Sequence, residues 1–341
     1  MRIGYSYWGF LGPGIRDTPD GGRSHRRTLL DGLRARGREL VLLQDNRDLN
    51  EAGDDYTTAF AWDPGLPEVD ALFLEWRWPI PGRNTSPCGT PGHTCDLHRQ
   101  EQLLTAYTAR GVPTLLWDKD QQLAADDPLR RHPAVRVLEP ALHPHPGSTS
   151  LLFPVADTAL DDALTTVHDL ADLPRDLPLA YVGNQYDRDD AFARYLAPAA
   201  TQVRHRIAGK WTDIGRWPDL TFTGRIPFAE VDPLYRRSTA TVLLLPARYA
   251  AIGQMTQRLF EAVLAGCLPI TPASIRSAAR FTPPELHAAD GRQVTGLVRR
   301  LSSTPTAADH AALLRACLQR LDLFRLSAQL DTLDHVLGGL R

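Results

Sequence analysis

No apolar stretch in this chain approaches the ~18 residues that a membrane-crossing helix needs. A basic-then-apolar leader is also lacking, because the pattern opens directly on a strand. Cysteine is scarce, with 4 in 341 residues. That excludes a disulfide framework, and a reducing, cytoplasmic setting is expected. Charge of one sign does not dominate: 38 Lys and Arg stand against 40 Asp and Glu, a formal net charge of −2. Such a balance gives no global attraction to nucleic acid or anionic membrane, so a nucleic-acid partner is not expected. Local basic patches do exist, as at Arg23/Arg26/Arg27 and Arg204/Arg206/Lys210. Lysine, isoleucine and asparagine are sparse beside alanine, arginine, leucine, proline and aspartate, a coding bias without mechanistic content. With 43% hydrophobic and 23% charged residues, the rest reads as an ordinary globular chain long enough for two domains.

The amino-terminal half alternates strands and helices. Arg2–Trp8 is an aromatic-rich strand, followed by a loop with Gly9, Gly12, Gly14, Gly21 and Gly22. A helix over Arg23–Arg36 turns Leu29, Leu30 and Leu33 to a sheet, stops at Gly37, and leads into the strand Glu39–Gln44. This order invites a dinucleotide-binding reading, with Asp45 placed for a ribose. That reading needs Gly-x-Gly-x-x-Gly directly after the strand, and the spacing here differs. A nicotinamide-dependent oxidoreductase therefore stands as an alternative. Val69–Trp76 is a third strand, and Pro79–Thr94 is loop by its proline and glycine content. In and just after this loop lie Cys88, His93, Cys95 and His98, within eleven residues. Structural zinc sites usually show two tight ligand pairs on separate turns. No metal site is assigned, and the loop is read as a lid over an acceptor. A helix over Asp96–Arg110 and a strand over Val112–Trp117 lead into Asp118-Lys-Asp120, a charged triplet at a strand's carboxyl end, suited to chemistry or to helix capping. Ala134–Leu138 is a further strand.

Residues 139–150 are rich in proline and small residues. The division expected is an amino-terminal domain over 1–150, a linker over 151–177, a second domain over 178–322, and a last helix over 323–341 that crosses back to the first. The strand pattern restarts at Pro178–Asn184 and recurs at Val203–Ala208 and Ala240–Pro246. The stretch Gln254–Ile270 reads as an amphipathic helix capped by Gly266 and running into a buried strand. Gln254, Arg258 and Glu261 would then share its polar face, and the loop Ala247–Gly253 would bring backbone N–H groups to its start, a natural seat for a phosphate.

The segment Arg258-x-Phe-Glu-Ala-x-x-x-Gly-x-x-Pro-Ile270 resembles the nucleotide-sugar segment of GT-B glycosyltransferases. The resemblance implies two Rossmann-like α/β/α domains facing each other across a cleft, and transfer of a sugar from a nucleotide-activated donor. It implies that Glu261 holds the ribose hydroxyls. Many retaining members carry a second Glu eight residues earlier, where this chain has Gly253. The stretch Asp20–Gly37 is similar to the family's first loop and helix, where Gly22 would let backbone approach the donor. By order along the chain, Gly183, Arg188, Lys210, Arg225, Gly253, Gln254, Arg258 and Glu261 would line the donor site. Asp118, Asp120, His25 and Asp20 are the candidates for the base that activates the acceptor. No metal and no cofactor are implied beyond the nucleotide sugar itself. Trp8, Trp76 and Trp78 favour a small organic acceptor of natural-product or nucleoside type. A homodimer stays open, as does a non-catalytic nucleotide-sugar or glycan-binding protein.

Overall fold

The computed structural model describes residues 1–14, 21–303 and 306–340. The chain divides into two compact units, Met1–Leu152 with Leu326–Arg341, and Phe153–Arg325. Among the described residues, the first unit is built on a sheet of seven strands. These are β1 (Arg2–Ser6), β2 (Glu39–Leu42), β3 (Ala61–Trp62), β4 (Ala71–Glu75), β5 (Thr114–Trp117), β6 (Val135–Glu139) and β7 (Thr149–Ser150). Their order is β3-β2-β1-β4-β5-β6-β7, and every pairing is parallel. The sequence Ala-Leu-Phe-Leu-Glu of β4 is buried at every position, as a central parallel strand covered on both faces must be. The short β3 and β7 are edge strands that carry too little pattern to be read from sequence.

Helix α1 (Arg26–Ala35) begins three residues later than its pattern predicts, because Gly21–Ser24 forms a 3₁₀ turn first. Its Leu29, Leu30 and Leu33 are buried as expected. Helix α2 (Asp96–Ala109) packs Leu103 and Tyr107 into the core formed by β2, β4, β5 and β6. The last helix, Leu326–Gly338, belongs to this unit. Gly32 of α1 makes its close approach feasible: a Cβ there would lie 2.9 Å from Leu326 and 3.0 Å from Leu330. Arg36 then bonds Asp331 and Asp334, both at 2.7 Å, and Arg38 reaches Asp334 at 2.7 Å. The buried Gln329 side chain accepts the Leu152 N–H at 2.8 Å.

The second unit holds β8 (Leu177–Val182), β9 (His205–Ala208), β10 (Ser238–Val242), β11 (Leu268–Pro272) and β12 (His287–Ala288) in the order β12-β11-β10-β8-β9, again all parallel. The segment read as a linker, with a helix expected around Asp157–Leu170, packs as two short helices within the second unit. Helices Asp157–Thr165 and Val167–Asp172 bury Leu160, Val167 and Ala171 beside the helix Ala307–Arg320. The stretch from Gln254 is also corrected. Ala247–Ile252 is itself a helix ending at Gly253, which has φ +62°, and the next helix runs only over Arg258–Leu264. Gln254 is therefore off the helix and fully buried, and Arg258 is buried and not on a solvated face. The Gly266 cap stands as read, with φ +80° and the Cys267 N–H bonded to Ala262 O at 2.9 Å.

In each sheet the strand order reverses once, between β1 and β4 in the first and between β8 and β10 in the second. Ligands of open α/β sheets bind outside the carboxyl ends of the strands at such a switch point. Leu330→Ala should strip a buried leucine from the contact between α1 and the last helix. A loss of about 2–5 kcal/mol is expected, read as faster amide exchange in α1 and β1. Unchanged protection there would show that the helix does not support this unit.

Candidate active site

At the first switch point the carboxyl end of β4 places Glu75 in the core, 1% exposed. A bare carboxylate there would be very costly. Arg26, from the first turn of α1, clamps it with Nε and Nη2, each at 2.8 Å. Lys119 Nζ, one residue beyond the Asp118 that follows β5, reaches it at 2.5 Å, and the Tyr5 hydroxyl donates at 2.7 Å. Burial alone would raise the Glu75 pKa, but Arg26 and Lys119 together hold it well below the usual carboxylate range. Arg26 also donates to Phe10 O (2.8 Å) and Trp8 O (3.1 Å), so the ion cluster ties the first glycine loop to the sheet. From the other side, buried Asp48 accepts the Leu11 and Gly12 N–H groups at 2.9 Å each. These are the donors that a dinucleotide pyrophosphate would need from this loop. Gly22 backs onto the Arg26 guanidinium, which a Cβ would overlap. It serves that packing.

The four base candidates fare differently. Asp20 lies outside the described residues. His25 is buried edge-on to Trp117, ring centroids 5.5 Å apart. Asp118 is fully buried, and its oxygens accept the N–H groups of Gln122 (3.0 Å) and Leu123 (2.9 Å). No helix follows it directly: residues 119–127 are turn and loop, and the Asp118 carboxylate fixes that turn instead of capping a helix. Burial raises its pKa to about 6 despite those bonds. Asp120 stands beside it, partly exposed.

At the second switch point the chain leaves β8 through Gly183 and β9 through Gly209. Gly209 has φ +135°, and a Cβ on it would overlap the Gly183 carbonyl oxygen, so the two turns touch backbone to backbone. Arg258 lies beneath them. Its Nε donates to Val182 O at 2.6 Å and its Nη1 to Thr256 Oγ1 at 3.1 Å. A Cβ on Gly183 would stand 2.5 Å from Arg258 Nε and 2.7 Å from the buried Tyr181 hydroxyl. Arg188, also buried, bonds the carbonyls of Tyr186 (2.7 Å), Leu244 (3.3 Å) and Asn184 (3.4 Å). Lys210 is exposed, and its N–H donates to Asn184 Oδ1 at 2.8 Å. Arg225 follows Gly224, whose carbonyl accepts the Gly209 N–H at 2.8 Å. Glu261 is partly exposed one turn after Arg258. Its charge, after burial, raises the Tyr235 pKa.

Gly183, Arg188, Lys210, Arg225 and Arg258 are thus gathered about one strand edge, and Glu261 lies one turn beyond. Gly253 and Gln254 are committed locally, the glycine as a left-handed cap and the glutamine through its N–H to Tyr249 O (2.9 Å). Gly253 holds φ +62°, a conformation in which a side chain is strained. Sequence reasoning missed the Glu75–Arg26–Lys119 cluster. The available signal was a lone acid ending an all-apolar strand, which calls for a cation. It also missed Trp211, whose Nε1 donates to Gly183 O at 2.8 Å and which packs on Phe192 with ring centroids 4.4 Å apart.

Residues 185–325 match the family described as Glycosyl transferase-like. No curated protein matches the chain. Among solved structures, that of T4 phage β-glucosyltransferase with UDP and Mn²⁺ aligns over 99% of this chain and 99% of its own, with TM-score 0.63 and 11% identity. AviGT4, a glycosyltransferase of avilamycin A biosynthesis, aligns over 99% and 97% with TM-score 0.59 and 11% identity. Anabaena Alr3699/HepE, solved with UDP and glucose, aligns over 98% and 99% with TM-score 0.54 and 10% identity. At these identities the likeness is one of fold.

Glu75→Gln leaves two buried cations short of a counter-charge and should cost about 3–5 kcal/mol at neutral pH. The Glu75 pKa is lowered on folding, so its stabilisation is present above the ordinary 4.5 and is lost as pH falls through its folded value. Asp118 has the opposite sign: its contribution is full below 3.8 and disappears as pH rises through about 6. Urea unfolding across pH should show the acid-side loss weakened in Glu75→Gln. Equal stability of variant and parent at neutral pH would refute the cluster's role.

Proposed function

We propose, from the premise that this chain is a glycosyltransferase of the GT-B fold, that its second unit binds a uridine diphosphate-activated sugar and its first unit a small organic acceptor. One observation carries the reading. The buried Arg26 at the first switch point is bonded to a carboxylate, whereas the buried Arg258 at the second is bonded to neutral oxygens of Val182 and Thr256. A positive charge not cancelled by a bonded carboxylate, beneath two touching glycine turns, favours an anion there. The family match covers the same unit, and the relatives solved with UDP support uridine as the base.

In the reaction the leaving diphosphate gains negative charge as the glycosidic bond breaks. Arg258, aided by Arg188 and Lys210, stabilises that charge, and Glu261 orients the ribose. No divalent ion is required in this scheme. Asp120, the partly exposed acid beyond β5, is the base we assign among the described residues. The balanced net charge supports a small acceptor over a polyanion.

A thermal-shift panel of uridine, guanosine, thymidine, adenosine and cytidine diphosphates tests the donor. The preferred nucleotide at ~100 times its Kd should add roughly 2.7 kcal/mol of stability. Glu261→Ala should weaken UDP binding about 10- to 100-fold by calorimetry, the loss of a hydrogen bond to a charged group, while the fold is retained. Unchanged affinity would remove the ribose assignment. Turnover of radiolabelled UDP-sugar that depended on added Mn²⁺ or Mg²⁺ would refute the metal-free scheme. Label entering duplex DNA and not small acceptors would overturn the acceptor class.

A further inference from the structure

The loop after β4 carries chemistry that sugar transfer does not use. Two of its glycines, Gly89 and Gly92, take left-handed conformations with φ +84° and +81°. Consecutive turns, Thr90 N–H to Pro87 O (3.1 Å) and His93 N–H to Thr90 O (2.9 Å), fold Cys88 and His93 back toward the start of α2. There Cys95 is the residue preceding the helix and His98 sits in its first turn. The four side chains converge. Their ligand atoms all lie within 4.8 Å of one another. Cys88 Sγ and Cys95 Sγ are 3.9 Å apart, and Cys88 Sγ is 3.3 Å from His98 Nδ1.

We propose that Cys88, His93, Cys95 and His98 form a structural zinc site that fixes the loop between β4 and α2. A tetrahedral ion with bonds of ~2.3 Å to sulfur and ~2.05 Å to nitrogen separates two sulfurs by about 3.8 Å and a sulfur from a nitrogen by about 3.5 Å. The Cys88–Cys95 and Cys88–His98 spacings lie within a few tenths of an ångström of these values, and no two of the four ligand atoms are farther apart than 4.8 Å. The donor set of two thiols and two imidazoles selects zinc over the oxygen-seeking Mg²⁺ or Mn²⁺. The outer layer is in place as well. His93 Nδ1 lies 3.1 Å from Ser86 Oγ, and its Nε2 is buried without a hydrogen-bond partner. Donation from Nδ1–H to Ser86 leaves Nε2 as the unprotonated nitrogen available to an ion, the arrangement of a metal-binding histidine. The Cys95 sulfur, at the residue preceding α2, also meets the positive end of the helix dipole.

Two pairs on separate turns are therefore present: Cys88 and His93 on the glycine turns, and Cys95 and His98 on the helix start. Four protein ligands close the coordination sphere, so the ion is structural. The loop is tied to the sheet edge nearby. Asp96, next to Cys95, bonds Arg77 at 3.2 Å and Arg83 at 3.3 Å, and Thr94 N–H donates to Arg83 O at 3.0 Å. The ion thus holds the segment that continues from Glu75 through Trp76 and Trp78.

The full-length protein, purified from zinc-supplemented culture without reductant and dialysed, should carry one zinc per chain by plasma mass spectrometry. Cys88→Ser, Cys95→Ser and His93→Ala should lose it, whereas His143→Ala keeps it. Should these variants fold poorly, the stripped wild-type protein titrated with Co²⁺ reports independently, through the visible bands of tetrahedral thiolate-bound cobalt, bleached by one equivalent of Zn²⁺. Proteolysis within residues 82–92 should slow on Zn²⁺ addition. A wild-type protein with neither zinc nor a cobalt spectrum would overturn the proposal. So would a Cys88–Cys95 disulfide found in its place, or zinc retained in the Cys88 and His93 variants.

Discussion

The first unit depends on a buried carboxylate that must be neutralised. Glu75 ends the central strand at a depth where water cannot solvate it, so folding requires Arg26 and Lys119 to arrive together. Arg26 comes from the helix after β1 and Lys119 from the turn after β5, so three chain crossings are fixed by one charge balance. The same guanidinium holds the carbonyls of Trp8 and Phe10, and Asp48 takes the amides of Leu11 and Gly12. The first glycine loop is therefore gripped by its carbonyls on one side and its amides on the other. Among the described residues, the start of this loop has its Leu11 and Gly12 amides already committed to Asp48, which weighs against the dinucleotide reading on physical grounds as well as on spacing.

The second unit solves the same edge differently. Parallel strands end with their carbonyls at the sheet rim, and Arg258 and Arg188 tie these to buried guanidinium groups. Gly183 and Gly209 are needed because their turns pack backbone against backbone, with Arg258 directly below Gly183. Neither position tolerates a Cβ without moving the other turn or the arginine. The rim thus carries cationic charge at a switch point of the sheet, the charge on which the proposed diphosphate site rests.

Much of this was legible in sequence, and the limits have particular causes. The strand-and-helix alternation, the Gly266 cap and the Arg258/Glu261 spacing are local, and local patterns survive in a one-dimensional string. The pairing of Arg26 with Glu75 joins residues 49 apart in sequence and depends on strand order, which no local pattern encodes. Asp118 at a strand end suits chemistry or a helix cap in sequence, and no local pattern shows that its oxygens instead take the Gln122 and Leu123 amides of a turn. The stretch after Pro246 reads as a loop in sequence because it is short and ends on a glycine, whereas Gly253 caps the helix Ala247–Ile252. The Cys88–His98 cluster was visible as composition, but its two-turn geometry comes from the positive φ angles at Gly89 and Gly92.

The contrast between the two switch points bears on how two similar sheets take different tasks. Each buries an arginine at its carboxyl edge, and desolvation makes each cation costly unless something compensates. An acid within bonding distance, as at Arg26, satisfies that cost permanently and yields a rigid scaffold. Neutral carbonyl and hydroxyl oxygens, as at Arg258, satisfy the hydrogen bonds but leave the field in place. Such a site gains most when an anion arrives, and it gains more as the anion's charge grows during bond cleavage. Neutralised scaffold in one unit and a charge held ready in the other follow from one substitution of partner, a carboxylate for a carbonyl, beneath otherwise comparable parallel sheets.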